Sequence, residues 1–95
     1  MSVEEKSEEK SEEKFKEAQE KVNGLTQRPS NEELLELYGL YKQGTTGDVS
    51  GKRPGMLDMK GRAKYDAWTK QKGTAGDTAK ETYVALVDDL IEKYG

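Results

Sequence analysis

Pro29-Ser-Asn-Glu-Glu-Leu-Leu-Glu-Leu-Tyr-Gly-Leu-Tyr-Lys-Gln-Gly-Thr-Thr-Gly-Asp48 joins a strong helix start to an unusual cluster of tyrosines and a lysine. Ser30 and Glu33 have the spacing of a capping box, in which the hydroxyl and the carboxylate each satisfy a backbone N–H left open by the first turn. Pro29 stands just ahead as a stop for the preceding element, so a helix is predicted from near Asn31. On that helix Leu34, Tyr38, Tyr41 and Lys42 fall at i, i+4, i+7 and i+8, which projects a leucine, two phenol rings and an ammonium from one side. A stripe serving burial alone would not end in lysine, and this side reads as a ligand grip.

The chain around this segment is small and lean. Its 95 residues suffice for one domain, and with no cysteine and no histidine it has neither a disulfide staple nor an imidazole to relay protons near neutral pH. Only 32% of residues are hydrophobic and 37% are charged, yet the apolar positions after Phe15 fall into helical stripes that a packed domain can use. No apolar run approaches the ~20 residues that span a bilayer, and the N-terminus lacks the apolar stretch of a signal peptide. The expectation is a soluble, cytoplasmic protein.

The net charge of -3 has a definite address. Residues 1–14 carry six glutamates and three lysines, which account for all of it, and residues 15–95 balance. Within the balanced part Lys52, Arg53, Lys60, Arg62, Lys64, Lys70 and Lys72 face only Asp58 and Asp66, a local excess of +5 that favours an anionic ligand.

Glu4 to Lys14 is a four-residue repeat that sets like charge against like at i, i+4, which is mildly destabilising in a helix. It reads as a frayed, solvated extension of helix 1, so the chain divides into a charged extension over 1–14 and a domain over 15–95. Phe15, Ala18, Val22 and Leu25 continue at helical spacing, and Gly24 with Arg28-Pro29 closes the helix near Thr26. Gly44 to Gly55, dense in Gly, Ser, Thr and Asp, is a long loop of the kind that is often functional. A third helix is expected from Met59 to Lys72, capped by Asp58 and ended by Gly73. Thr74 and Asp77 are candidate caps for a fourth, in which Ala79, Tyr83, Val87, Leu90 and Tyr94 form the clearest amphipathic stripe in the chain. Nothing alternates with period two, and four helices with one long loop is the simplest all-α architecture.

These segments, in order, resemble the acyl-CoA-binding proteins, small helical carriers of long-chain fatty acyl-CoA esters. The resemblance covers most of residues 15–95. It rests on Pro29 through Tyr38-Gly-Leu-Tyr-Lys-Gln43 to Gly47-Asp48, then Arg53-Pro-Gly-Met-Leu57, then Lys60-Gly-Arg-Ala-Lys64 with Asp66-Ala-Trp68, then Lys72-Gly73. It implies a four-helix up-down-down-up bundle with a shallow bowl for the ligand. It also implies ligand contacts at Tyr38, Gly39, Leu40, Tyr41 and Lys42, completed by Lys60, Lys64 and Tyr83, with a further contact position at Asn23. Departures from the usual family residues are Asn23, Gly44, Tyr65, Gln19 and Arg28, none of which removes the central cluster. On this resemblance the protein is a monomeric carrier in fatty acid metabolism. It binds medium- and long-chain acyl-CoA as ligand, uses no cofactor, and meets donor and acceptor enzymes transiently. No nucleic acid and no stable membrane insertion are expected.

The residue types suit such a ligand. Coenzyme A brings a 3′-phosphate, a pyrophosphate and an adenine, and its acyl ester adds a long apolar chain. Lys42 and Lys64 can supply charge-assisted hydrogen bonds to the 3′-phosphate. Tyr38 and Tyr41 can offer ring faces to adenine, and Tyr83 can close the pocket. An apolar lining is expected from Leu34, Leu35 and Met56. Taken alone, the tyrosines would read as bundle packing and the lysines as solvated surface; the ordered motifs carry the other reading. The competing class is a helical interaction module that docks a protein or membrane surface through the charged tail and the basic helix 3 region. An enzyme fits poorly, because histidine and cysteine are absent and neither Asp66 nor Asp77 has an evident partner for acid–base work. No Gly-Lys-Ser/Thr follows the loop glycines, so they do not form a Walker-type phosphate cradle.

Overall fold

The computed structural model describes residues 3–95, with side chains described from Ser11 onward. Four helices make up its regular structure: α1 (Val3–Asn23), α2 (Asn31–Thr45), α3 (Met59–Lys70) and α4 (Gly76–Tyr94). α1 runs through the four-residue repeat, whose like-charge side-chain pairs before Ser11 lie outside the described residues.

α2 starts as its sequence requires. The Ser30 hydroxyl accepts from Glu33 N–H at 3.1 Å, and the Glu33 carboxylate accepts from Ser30 N–H at 2.8 Å. Asp58 caps α3 in the same local way, accepting from Gly61 N–H at 2.9 Å. Three boundaries differ from the sequence reading. α1 stops at Asn23 and not near Thr26, and Thr26 instead donates its hydroxyl to the last-turn carbonyl of Tyr94 at 2.7 Å. α3 stops at Lys70, two residues before Lys72, and the chain turns through Gly73, whose φ of 89° is strained for any residue with a Cβ. α4 has no side-chain cap: it begins after Ala75, and neither Thr74 nor Asp77 bonds an open N–H there. Thr74 is occupied in the preceding turn, where its N–H donates to Gln71 O at 2.9 Å and its carbonyl accepts from the Gln43 amide at 2.7 Å.

Contacts between helix ends give the topology. Glu12 near the start of the described part of α1 pairs with Lys80 at the start of α4, and Thr26 beyond α1 meets Tyr94 at the end of α4, so these two helices run the same way. α2 runs against α4, since Glu33 at its start meets Tyr94 at 2.6 Å while Gln43 near its end reaches Thr74. α3 is parallel to α2. Lys64 stands over the Tyr38 ring at 5.5 Å, and one turn on in both helices Lys42 stands over the Trp68 ring at 4.7 Å. The order is up-down-down-up.

The core lies between α1, α2 and α4. Phe15 and Ala18, Leu37 and Leu40, and Ala79, Tyr83, Val87 and Leu90 form one buried cluster. Leu40, Val87 and Leu90 are essentially sealed from water. Each such side chain contributes about 1.5–3 kcal/mol by leaving water. α3 packs on the other side of α2, and among its residues only Trp68 is fully buried.

Candidate functional site

The packing of α3 on α2 turns on a glycine. A Cβ on Gly39 would sit 2.4 Å from the carbonyl oxygen of Ala67, so only glycine lets the two backbones approach this closely. The close crossing sets Tyr38 and Lys42 of α2 beside Lys64 and Trp68 of α3.

Two adjoining depressions open on either side of the Leu34–Tyr38 edge of α2. One of about 240 Å³ lies between α1, α2 and α4 and is lined by Val22, Asn23, Leu34, Tyr38, Tyr41 and Tyr83, with the core residue Leu37 at its base. The other, of about 430 Å³, is lined by Leu34, Leu35, Tyr38, Met59, Lys60 and Lys64 among others. Leu34 and Tyr38 belong to both and form the ridge between them. The result is a cleft with phenols at one end and ammonium groups over an aliphatic floor at the other.

The phenols are graded in exposure. Tyr41 is 38% exposed and its ring stacks on Phe15 at 6.0 Å between centroids. Tyr83 is buried edge-on to the same Phe15 ring at 5.0 Å, so α1 supplies the aromatic platform that holds both. Burial first, and the neighbouring Tyr41 phenol second, push the Tyr83 hydroxyl above its ordinary pKa.

Charge around the cleft is uncompensated. Among the described residues the ion pairs are Arg53 with Asp66, Lys80 with Glu12 and Lys93 with Glu33; Lys42, Lys60 and Lys64 belong to none. Lys42 and Lys64 rest over aromatic faces, a contact worth a fraction of what a phosphate offers an ammonium. The seven-to-two excess of bases seen in the sequence is therefore divided, with Arg53 neutralised by a bidentate bond to Asp66 at 2.9 and 2.8 Å. That bond holds the Asp66 carboxyl below its ordinary pKa and raises that of the guanidinium.

The loop between α2 and α3 is pinned so that α3 keeps its place. Trp68 Nε1 donates to Gly47 O at 2.7 Å, the Tyr65 hydroxyl to Gly51 O at 3.0 Å, and Arg62 Nε to Pro54 O at 3.0 Å. Asp48 joins three segments, accepting at one oxygen from Gly73 N–H and from the Gln43 amide, both at 2.8 Å. These two bonds, the backbone one first, lower its pKa. The sequence places Arg53 and Asp48 in a long loop but does not disclose the Arg53–Asp66 clamp or the Asp48 junction, because both join residues distant in the chain.

Of the expected contact residues, Asn23, Tyr38, Tyr41 and Tyr83 line the first depression, and Lys60 and Lys64 join Tyr38 in the second. Lys42 lies one turn further along α2, with its ammonium over Trp68 and outside both linings. Gly39 and Leu40 are interior and line neither depression; Gly39 sets the helix approach and Leu40 belongs to the core. Leu34 and Leu35 line the cleft as expected, but Met56 does not: its side chain is 79% exposed on the loop. Met59 and Ala63 take that place, and their i, i+4 spacing one residue ahead of Lys60 and Lys64 was the signal that could have found them.

Comparison with known proteins agrees with this geometry. The family model described as acyl CoA binding protein matches residues 12–87. Acyl-CoA-binding protein homolog 1 of Caenorhabditis elegans is 54% identical over 81 residues, covering 85% of this chain and 94% of the relative. The acyl-CoA-binding protein homolog of Drosophila melanogaster is 49% identical over 80 residues, covering 84% of this chain and 93% of the relative. The crystal structure of Oryza sativa acyl-CoA-binding protein 2 superposes with a TM-score of 0.87 at 40% identity, covering 92% of this chain and 95% of that one. With four helices in the same arrangement and about half of the aligned residues shared with such relatives, the chain belongs to the acyl-CoA-binding protein family.

Proposed function

We propose that this protein binds medium- and long-chain fatty acyl-CoA esters reversibly in the two adjoining depressions along the Leu34–Tyr38 edge of α2, as a monomeric intracellular carrier that leaves its ligand chemically unchanged. The observation that carries this reading is a set of three lysines, Lys60 and Lys64 in the cleft lining and Lys42 one turn along α2, with no carboxylate partner among the described residues. The ammonium groups of Lys42 and Lys64, held over aromatic rings, are ready to exchange a weak contact for charge-assisted bonds to phosphate. In this reading Lys42 and Lys64 take the 3′-phosphate, Tyr38 and Tyr41 hold the adenine, and Tyr83 and Asn23 close the far end. Gly39 and Leu40 serve the site by holding the backbone that carries these groups.

Leu34, Leu35, Met59 and Ala63 then shelter the acyl chain. Each methylene withdrawn from water contributes roughly 0.8 kcal/mol, so ten would contribute about 8 kcal/mol before ordering costs. The tail thus supplies most of the affinity and the nucleotide the specificity. Membership of a family named for acyl-CoA binding supports the ligand class. In this reading residues 1–14 are dispensable for binding, in keeping with a family match that starts at residue 12. Among the described residues no helix is long and apolar enough to cross a membrane.

Calorimetry with palmitoyl-CoA, free CoA and free palmitate tests the proposal. Tight binding is expected for the first, much weaker binding for the second and negligible heat for the third. Equal affinity for CoA and palmitoyl-CoA would contradict it, as would loss of binding on deleting residues 1–14.

A further inference from the structure

Three cationic side chains, Arg28, Lys60 and Lys64, line the larger depression, and among the described residues no carboxylate joins them. Across the wall formed by Leu35 and Ala63, which belong to both, the neighbouring groove has the opposite balance: Glu32, Glu36 and Asp66 line it with Lys70. Anions are therefore welcome on one side of that wall only. Lys64 already has a task beside the Tyr38 ring, at the end of the depression given to the nucleotide. Arg28 and Lys60 stand toward the other end, and no role in the carrier reading accounts for the arginine.

That end is built rather than incidental. Arg28 precedes Pro29, which is buried, and a residue before proline is confined to extended backbone. Its Nη1 donates to Asn31 Oδ1 at 3.0 Å, which ties the guanidinium to the first turn of α2 and leaves the Asn31 amide N–H groups free to donate. Asn31 lines the same depression, and neither Arg28 nor Lys60 has a carboxylate partner among the described residues. The aliphatic floor of Leu34, Leu35, Met59 and Ala63 separates this group from the Lys64–Tyr38 pair. From Asn31 to Lys42 the helix rises about 17 Å, so the depression offers cations at both ends of an apolar path. A chain ending in methyl uses the floor and leaves the cations at the start of α2 unanswered.

We infer that Arg28, Asn31 and Lys60 form a second anion subsite at the start of α2, which takes the terminal carboxylate of an ω-carboxylated fatty acyl-CoA, the monothioester of a long-chain dicarboxylic acid. The inference rests on the carrier reading and widens its ligand class. Arginine presents a planar fork to a carboxylate and lysine adds a point charge. Both side chains are exposed, so the carboxylate keeps part of its hydration and avoids the cost of burial in an apolar site.

Calorimetry of the full chain with palmitoyl-CoA and hexadecanedioyl-CoA, ligands of equal carbon number, tests the subsite through the ratio of the two affinities. The unmodified chain is expected to bind the dicarboxylic ester within about threefold of palmitoyl-CoA, since an exposed ion pair offsets the added charge. Arg28→Gln is expected to shift the ratio against the dicarboxylic ester by about fivefold, the upper worth of such a pair, with Lys60→Gln shifting it the same way. Added salt should shrink the difference between the unmodified chain and Arg28→Gln. The inference is overturned if the unmodified chain binds hexadecanedioyl-CoA far more weakly than palmitoyl-CoA, or if Arg28→Gln leaves the ratio unchanged. Equal weakening of both ligands by Arg28→Gln would overturn it too, by giving the arginine to the pyrophosphate. Each of these results leaves palmitoyl-CoA binding by the unmodified chain in place, whereas absence of that binding would remove the carrier reading itself.

Discussion

α2 has two sides that are built in opposite ways. Toward α1 and α4 it presents Leu37 and Leu40 to Phe15, Tyr83, Val87 and Leu90, large groups that exclude water. Toward α3 it presents Gly39, and the resulting close crossing leaves a cleft edged by lysines with no acidic partners among the described residues. Stability is concentrated on the first side and charge on the second, with Leu37 and Tyr83 serving both the core and the cleft. A small protein without disulfides can in this way keep an open, charged groove, because the groove meets the core at these two residues and leaves the sealed side chains behind them untouched.

The sharpest way to break the contrast is to truncate one residue on each side. Leu90→Ala removes a sealed side chain and is expected to cost about 2–5 kcal/mol in urea unfolding. Lys64→Ala should leave unfolding nearly unchanged yet weaken palmitoyl-CoA binding about ten- to hundredfold, the usual worth of a hydrogen bond to a charged group. Its loss should be smaller for the ligand lacking the 3′-phosphate, and comparable losses for both would reassign the lysine. Gly39→Ala should cross the boundary between the two sides. Its methyl group would meet Ala67 backbone atoms that have no room to yield, costing about 1–3 kcal/mol and lowering affinity as the helices part.

The smallest expected effect concerns the join between α2 and α4. The Glu33 carboxylate accepts from the Tyr94 hydroxyl first, then from Ser30 and Lys93, which lowers its pKa from 4.5 to about 2. A carboxyl with a depressed folded-state pKa stabilises fully above its unfolded value, and that contribution is lost as pH falls through the folded one. Thermal midpoints should therefore decline between about pH 4.5 and 2, with Asp48 and Asp66 contributing in the same direction. Glu33→Gln should flatten part of that decline without altering ligand affinity at neutral pH.

How far these features were legible in the sequence follows from their range. The Ser30–Glu33 box and the Asp58 cap are three-residue events, and the stripes of α2 and α4 fix which faces are buried. Thr74 is not the cap because α4 begins one residue later, after Ala75, with Thr74 held in the preceding turn by Gln43, 31 residues away, and no local rule contains that contact. The Glu33–Tyr94 bond spans 61 residues and the Arg53–Asp66 clamp spans 13, so both emerge only once the helices are arranged. The cleft itself was legible through family resemblance more than through periodicity, which would have given Tyr38 and Tyr41 to the core. Met56 was misplaced for the same reason: hydrophobicity marks a residue as apolar but does not say which surface it meets.

The central claim is that the ligand lies along the Leu34–Tyr38–Tyr41 edge of α2, between α3 on one flank and Asn23 and Tyr83 on the other, while the sealed residues behind that edge hold the fold. Amide chemical-shift mapping during titration with palmitoyl-CoA tests it most directly. The account predicts that the largest changes gather at Val22 and Asn23, along Leu34 to Lys42, at Met59 to Lys64 and at Tyr83. Changes gathered instead along the outer surface of α1 and α4, around Ser11, Lys80 and Asp88, would contradict it.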